Sequence, residues 1–320
     1  MLRVVIIGYG DMFTNLIAGA LDAGCNIVGV LRKDSIKHSY FVKKMLDIIN
    51  PSTEYNYIKS YNLPEIENIR SVNDEKFRKK LLELNPDIIL VGSWGEKFEK
   101  ATYEIPKIAS INAHPSLLPK YRGPNPYFWV IRNMEHETGI TFHLIDSNYD
   151  TGSILAQEIV KIFPSDTGQS LKQRVVLTAR GVCCELLKAL NEDLIIPLSQ
   201  NEEKASYYSY PFDLELDFKN SAEENYALIR AIYPWDNAYF YHNITALSPN
   251  PVSTFVENNT TKYKTPGTVT YINPEKRTIC VLCGDNKVLK MENINLYNKL
   301  DKPFTKNYIV REIKEGDMII

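Results

Sequence analysis

The sequence predicts an α/β fold built on an open, doubly wound, mostly parallel sheet, and three stretches carry that prediction. Residues 3 to 8 are an apolar strand running into Gly8-Tyr9-Gly10 and a helix over about 11 to 23, the form of a first βα unit. Asp87-Ile-Ile-Leu-Val-Gly-Ser93 is apolar throughout its centre, as a parallel strand covered by helices on both faces must be. Ile108 to Ile111 is a shorter apolar run that ends where polar chemistry begins.

In chain order, Gly8-Tyr9-Gly10 lacks the third glycine of a dinucleotide loop, since Phe13 stands there, and the strand over 26 to 32 ends in Arg32 instead of an acid. The turn therefore reads first as a close strand-to-helix contact. Residues 33 to 50 follow as an amphipathic helix, with Phe41, Met45, Ile48 and Ile49 on one stripe and Lys33, Lys37, Lys43 and Lys44 on a solvated face. A second such helix over 71 to 85 is stopped by Asn85-Pro86. Trp94, after the 87–93 strand, reads as a packing aromatic. Pro126 to Glu135 reads as a helix, Thr138 to Ile145 as a strand containing a core His143, and 154 to 162 as a further strand. A long helix over about 167 to 191 carries Leu171, Val175, Leu177, Val182 and Leu186 on apolar faces, with Cys183 and Cys184 as small hydrophobes. The polar stretch 198 to 212 reads as a linker between a domain over 1–197 and one over 213–320. Short strands with turn signals fill the latter, with one helix from about 222 opened by the capping box Ser221-x-x-Glu224. Cys280-x-x-Cys283 has no second pair and its thiols fall on opposite strand faces, so core packing is the reading and no metal is expected.

The chemistry gathers in residues 108 to 123. Asn112 and His114 alternate, so both side chains leave the strand on one face at its carboxyl end, where open α/β sheets place ligands. Leu-Ile-Asp-Ser-Asn-Tyr-Asp-Thr-Gly, residues 144 to 152, ends an apolar run in Asp150 beside a turn glycine. An amide, an imidazole and a carboxylate brought together suit acyl transfer: a donor for an oxyanion, a proton shuttle, and a group that orients the imidazole.

Asn112-x-His114, Ser-Leu-Leu-Pro-x-Tyr-Arg-Gly at 116 to 123, and Asp150-Thr151-Gly152 together resemble the formyltetrahydrofolate-dependent formyltransferases. Ile229-Arg-Ala-Ile-Tyr-Pro-Trp235-Asp-Asn-Ala-Tyr239, Pro266-Gly267 and Gly284-Asp285 resemble the small C-terminal domain of members acting on tRNA or in polymyxin resistance. The resemblance implies a Rossmann-like catalytic domain followed by a partly open, OB-like β-barrel. It implies 10-formyltetrahydrofolate as donor, with Ser93, Trp94, Gly95, Ser116, Leu117, Leu118 and Asp146 on the folate side. Gly8, Tyr9, Gly10, Tyr121 and Arg122 would lie toward the acceptor. Arg122 has two readings, a clamp on phosphate or carboxylate and a pin for its own loop. Asn112 and His114 would stabilise the oxyanion, and Asp150 would hold His114 and help take the ammonium proton.

Composition sets the bounds. No run approaches the ~18 apolar residues of a membrane span, and the start is a strand, not a signal peptide. Five cysteines at irregular spacing point to a reduced, cytoplasmic setting. The formal charge of −2 gives no global reason to expect nucleic acid, although residues 262–314 hold 11 Lys+Arg against 5 Asp+Glu. The resembled methionyl-tRNA formyltransferases carry a Gly/Pro-rich basic loop after the second strand, where this chain has an amphipathic pattern. Arg122-Gly-Pro-Asn-Pro126 looks more like the amino-sugar branch. The expected acceptor is therefore a small amine, a nucleotide-linked amino sugar, ahead of tRNA. A non-catalytic nucleotide-binding module and a deformylating hydrolase are the alternatives from other classes.

Overall fold

A computed structural model describes residues 1–33, 40–258, 260–297 and 312–319. The chain forms two compact units, one of Met1–Pro126, Glu137–Lys161 and Lys172–Ser209, the other of Tyr127–His136, Ile162–Leu171 and Tyr210–Ile320. The elements of the first half are β1 (Arg3–Gly8), α1 (Gly10–Asp22), β2 (Asn26–Arg32), α2 (Tyr40–Ile49), α3 (Thr53–Ser60), α4 (Glu75–Leu84), β3 (Ile88–Gly92), α5 (Lys100–Tyr103) and β4 (Ala109–His114). After them come α6 (Pro126–Arg132), β5 (Glu137–Leu144), β6 (Ile154–Lys161) and α7 (Gly168–Asn191).

In the first unit six strands form one sheet in the order β2-β1-β3-β4-β5-β6. The four on the β2 side are parallel, while β4–β5 and β5–β6 are antiparallel. This is the Rossmann-like, mixed sheet that the apolar runs predict. Val4 to Ile7 and Ile88 to Leu90 are fully buried because helices cover both faces. On one face Val5, Ile7, Val28, Leu31, Ile89 and Val91 pack with Phe77, Leu81 and Phe98 into a single core. Strand register sets the neighbours at the carboxyl ends: Gly8 lies beside Gly92, Val91 beside Asn112, and Asn112 beside His143.

The expected orientation of α2 is reversed, and Lys37 lies outside the described residues. Phe41, Ile48 and Ile49 are 79%, 80% and 71% exposed, whereas Lys43 and Asp47 are buried. The cause is Arg32 at the end of β2, itself buried. Its guanidinium reaches Asp47 at 2.5 Å and Glu65 at 2.7 Å, and Lys43 reaches Glu65 at 2.8 Å and Glu67 at 2.9 Å. A buried charge left unpaired costs several kcal/mol, more than any one apolar side chain of the stripe would return. The polar face therefore turns inward. Leu177 of α7, expected in the core, is also mostly exposed.

The stretch 198 to 208, expected as a linker, is hydrogen-bonded within the first unit. Leu198 exchanges both backbone bonds with Ile154, and Arg122 pairs with the backbone of Ser206 and Tyr208.

The second unit is built on α8 (Ala222–Ile232), whose capping box between Ser221 and Glu224 is present as the sequence predicts. Its strands are β7 (Phe240–His242), β8 (Thr245–Ser248), β9 (Thr254–Asn258), β10 (Val269–Asn273), β11 (Thr278–Leu282), β12 (Lys287–Met291) and β13 (Asn295–Leu296). They form two antiparallel sheets, β10-β11-β12-β9 and β13-β8-β7, and no closed barrel among the described residues. Within this unit the Tyr127 ring stacks on Trp235 with centroids 6.0 Å apart. Cys280 and Cys283 are buried and free, and Cys280 packs with Leu282 and Val288.

Candidate active site

The strand β4 ends in the middle of its sheet, held by β3 on one side and β5 on the other, so Asn112 and His114 stand on a rigid support. Asp150 arrives from the β5–β6 connection. Its backbone is left-handed (φ 57°), and the turn beyond it closes so tightly that a Cβ on Gly152 would collide with the Leu144 carbonyl oxygen. Asp150 is the hub. Its Oδ1 lies 3.3 Å from Asn112 Nδ2, 3.4 Å from His114 Nδ1 and 3.5 Å from His143 Nε2. Its Oδ2 accepts the Gly123 backbone N–H at 2.9 Å. The three residues picked from the sequence therefore meet, although 38 positions separate Asn112 from Asp150.

The neighbours fix the tautomers. His114 Nε2 lies 2.8 Å from the Tyr121 carbonyl, which only accepts, so Nε2 carries the hydrogen and Nδ1 faces the carboxylate. His143 Nδ1 likewise donates to the Leu144 carbonyl at 2.8 Å, leaving Nε2 to accept from Asn112 Nδ2 at 3.2 Å. With acceptors on both sides, the Asn112 amide must turn its NH₂ toward Asp150. Burial pushes the His114 imidazole below its ordinary pKa, against the opposing pull of Asp150. Burial pushes the Asp150 carboxyl up, but His114, His143 and the Gly123 N–H outweigh it and hold the group well below the usual carboxylate range. A neutral imidazole thus faces an ionised carboxylate, an arrangement able to receive a proton and stabilise it.

A family profile described as "Formyl transferase" matches residues 2–185, more than half of the chain. The chain belongs to the formyl transferase family. A second profile, "Formyl transferase, C-terminal domain", matches residues 210–302 of this transferase. It is 34% identical to the methionyl-tRNA formyltransferase of Clostridium novyi over 74% of this chain and 75% of that one. To the methionyl-tRNA formyltransferase of Clostridioides difficile it is 28% identical, over 99% and 98%. Its fold is similar to a Helicobacter canadensis N-formyltransferase solved with folinic acid and dTDP-3-aminofucose (TM-score 0.67, 20% identity, 91% of this chain and 99% of that one). Formyltransferases of this family take the formyl group from 10-formyltetrahydrofolate.

Asn112, His143 and Asp150 of the transferase line a pocket of about 60 Å³ together with Val91, Trp94, Glu96, Lys97, Phe98, Ile145, Asp146, Asn148 and Tyr149. The Trp94 indole N–H is buried without a partner among the described residues. Apolar walls, a carboxylate and an unmet donor suit a flat heterocycle with hydrogen-bonding edges. Asp146 also closes its own turn, accepting from Thr151 Oγ1 at 2.7 Å.

The remaining sequence-predicted residues sit elsewhere. Ser93 (φ 58°) and Gly95 flank Trp94 in the loop after β3, outside the pocket lining. Ser116 and Leu118 are buried and bonded to Lys120 and Thr141, and Leu117 packs on Gly139, so this segment supports β5. Gly8 approaches Gly92, and Tyr9 is partly exposed beneath the Lys33 ammonium at 4.4 Å. The Gly10 N–H, at the start of α1, is occupied by Glu54 Oε1 at 2.7 Å. A carboxylate of the chain's own thus takes the place where a phosphate would bind. Tyr121 is buried and stacks on Tyr208 at 5.1 Å. Arg122 pins its loop: it donates to Gln200 Oε1 at 2.8 Å and to Glu202 at 2.6 Å.

Sequence reasoning passed over His143 and Gln200. His143 reads as an ordinary strand histidine until antiparallel pairing puts it opposite Asn112. Gln200 lies in the expected linker and carries no motif.

Proposed function

We propose that this formyltransferase passes the formyl group of 10-formyltetrahydrofolate to the amine of a nucleotide-linked amino sugar, using Asn112, His114 and Asp150. The convergence of Asn112, His114 and His143 on one buried carboxylate supports the catalytic assignment. The donor would lay its pterin against Trp94 and its formyl group toward Asn112. Attack by a neutral amine converts the formyl carbonyl to a tetrahedral oxyanion. The 3.3 Å bond from Asn112 to Asp150 is long, so this amide hydrogen is readily exchanged toward the oxyanion. The proton lost by the amine passes to the His114–Asp150 pair, where Nδ1 of the neutral imidazole accepts it and the carboxylate stabilises the imidazolium. As the oxyanion collapses, the bond from the formyl carbon to N10 breaks and the imidazolium gives that proton to N10, releasing tetrahydrofolate.

The acceptor assignment rests on the segment after β2. A member acting on tRNA needs cations facing the phosphates. Here α2 presents Phe41, Ile48 and Ile49 to solvent while Lys43 is buried in ion pairs. The dTDP-3-aminofucose bound to the Helicobacter canadensis protein is of the proposed substrate class. The full-length likeness to methionyl-tRNA formyltransferases favours the second reading, tRNA. The purified protein should release tetrahydrofolate when given 10-formyltetrahydrofolate with a panel of nucleotide amino sugars. Release with methionyl initiator tRNA and with none of the sugars would overturn the assignment.

A further inference from the structure

We infer that Gln200 is a positioning residue for formyl transfer, acting through Asp150 and the Arg122-Gly123 turn without touching either substrate; this rests on Asp150 belonging to the catalytic centre. The Gln200 carboxamide spends every hydrogen-bonding position it has. Its NH₂ donates to the Asp150 carbonyl at 2.9 Å and the Gly152 carbonyl at 2.8 Å. Its Oε1 accepts from Arg122 Nε at 3.2 Å and Nη2 at 2.8 Å. Carbonyls only accept and a guanidinium only donates, so the orientation of the amide is fixed by its surroundings.

The two groups it joins are the two halves of one contact. Asp150 supplies the carboxylate, and Gly123, the residue after Arg122, supplies the N–H that holds Oδ2 in place. Asp150 keeps a left-handed backbone that few side-chain-bearing residues adopt, and Gly123, at φ 95°, packs so closely on the Tyr208 carbonyl that a Cβ there would collide with it. Release of the Asp150–Gly152 turn would let the carboxylate move away from His114 Nδ1, now 3.4 Å away. A displacement of about 1 Å at a reacting centre costs on the order of 10²-fold in rate.

Two variants separate positioning from simple support. Gln200→Ala removes all four bonds. Gln200→Glu keeps an acceptor for Arg122 but sets a carboxylate against the two carbonyls of the Asp150 turn. Turnover would be measured with 10-formyltetrahydrofolate and whichever of dTDP-3-aminofucose or methionyl-tRNA the wild type formylates, beside the unfolding midpoint and hydrogen exchange of the Gly123 amide. Both variants should lose about 10²-fold in kcat, with little change in the KM for the folate and faster exchange at Gly123. Gln200→Glu with wild-type kcat, unaltered Gly123 exchange, or a loss matched by the unfolded fraction would overturn the inference. Asp150→Asn assayed alongside tells the two failures apart. If it is fully active, the catalytic reading of Asp150 fails and Gln200 falls with it; if it is inactive while Gln200→Glu is active, Gln200 alone is refuted.

Discussion

Replacing Asp150 by Asn tests the site at its hub. The variant keeps the side chain's shape and an oxygen for the Gly123 N–H. It removes the charge and points an NH₂ toward Asn112 Nδ2, which is already a donor. The charge faces His114 Nδ1 at 3.4 Å. At an effective dielectric constant of about 20, a unit charge at that distance stabilises an imidazolium by about 5 kcal/mol. Each ~1.4 kcal/mol lost from the transition state is tenfold in rate. Allowing for partial proton transfer at the transition state, kcat should fall about 10³-fold, with folate binding retained because Asn keeps the shape that Asp150 gives the pocket wall. The assay is single-turnover release of tetrahydrofolate from preloaded enzyme, with circular dichroism to establish the fold. A variant within tenfold of wild type would refute the proton-acceptor role of the His114–Asp150 pair.

Asn112→Ala should lower kcat by about 10²–10³-fold with a smaller effect on folate KM, the usual loss for one oxyanion donor, measured by steady-state kinetics. Burial holds the folded-state pKa of His114 below the ordinary ~6.5. The unfolded chain therefore binds more protons just below that pH, and the His114 contribution to stability is complete above ~6.5 and lost as pH falls toward the folded value. The unfolding midpoint of wild type should drop over that window, and His114→Gln should flatten the drop; an identical slope in both proteins contradicts the assignment. Lys43→Met leaves Glu65 with Arg32 alone and Glu67 with the half-exposed Lys44, and should destabilise by about 1–3 kcal/mol. Ile48→Ser on the exposed face of the same helix should stay within about 0.5 kcal/mol of wild type by denaturant unfolding, and the reverse order would restore the helix orientation that the sequence suggests.

The sheet was legible because period and burial are local properties. Runs such as Val4 to Ile7 and Ile88 to Val91 have one low-energy use, a strand covered on both faces. Asn112, His114 and Asp150 were legible for a related reason: strand ends and turn glycines announce where polar side chains leave the core. The orientation of α2 was not. Its hydrophobic stripe promised burial, yet whether a stripe or a lysine faces inward depends on what waits there, and Arg32 with Glu65 and Glu67 comes from other parts of the chain.

Sequence alone determined what kind of sheet presents Asn112, His114 and Asp150 and marked those three as candidates, since apolar runs, strand ends and turn glycines follow from side-chain type and spacing. Tertiary structure decided the state and company of those residues. It placed His143 opposite Asn112, gave the Gly10 amide to Glu54, and drew Gln200 from the expected linker onto the Asp150 turn. Hydrogen bonds and ion pairs reach only a few ångströms in space and are indifferent to distance along the chain, so these partnerships exist only once the backbone has closed around them.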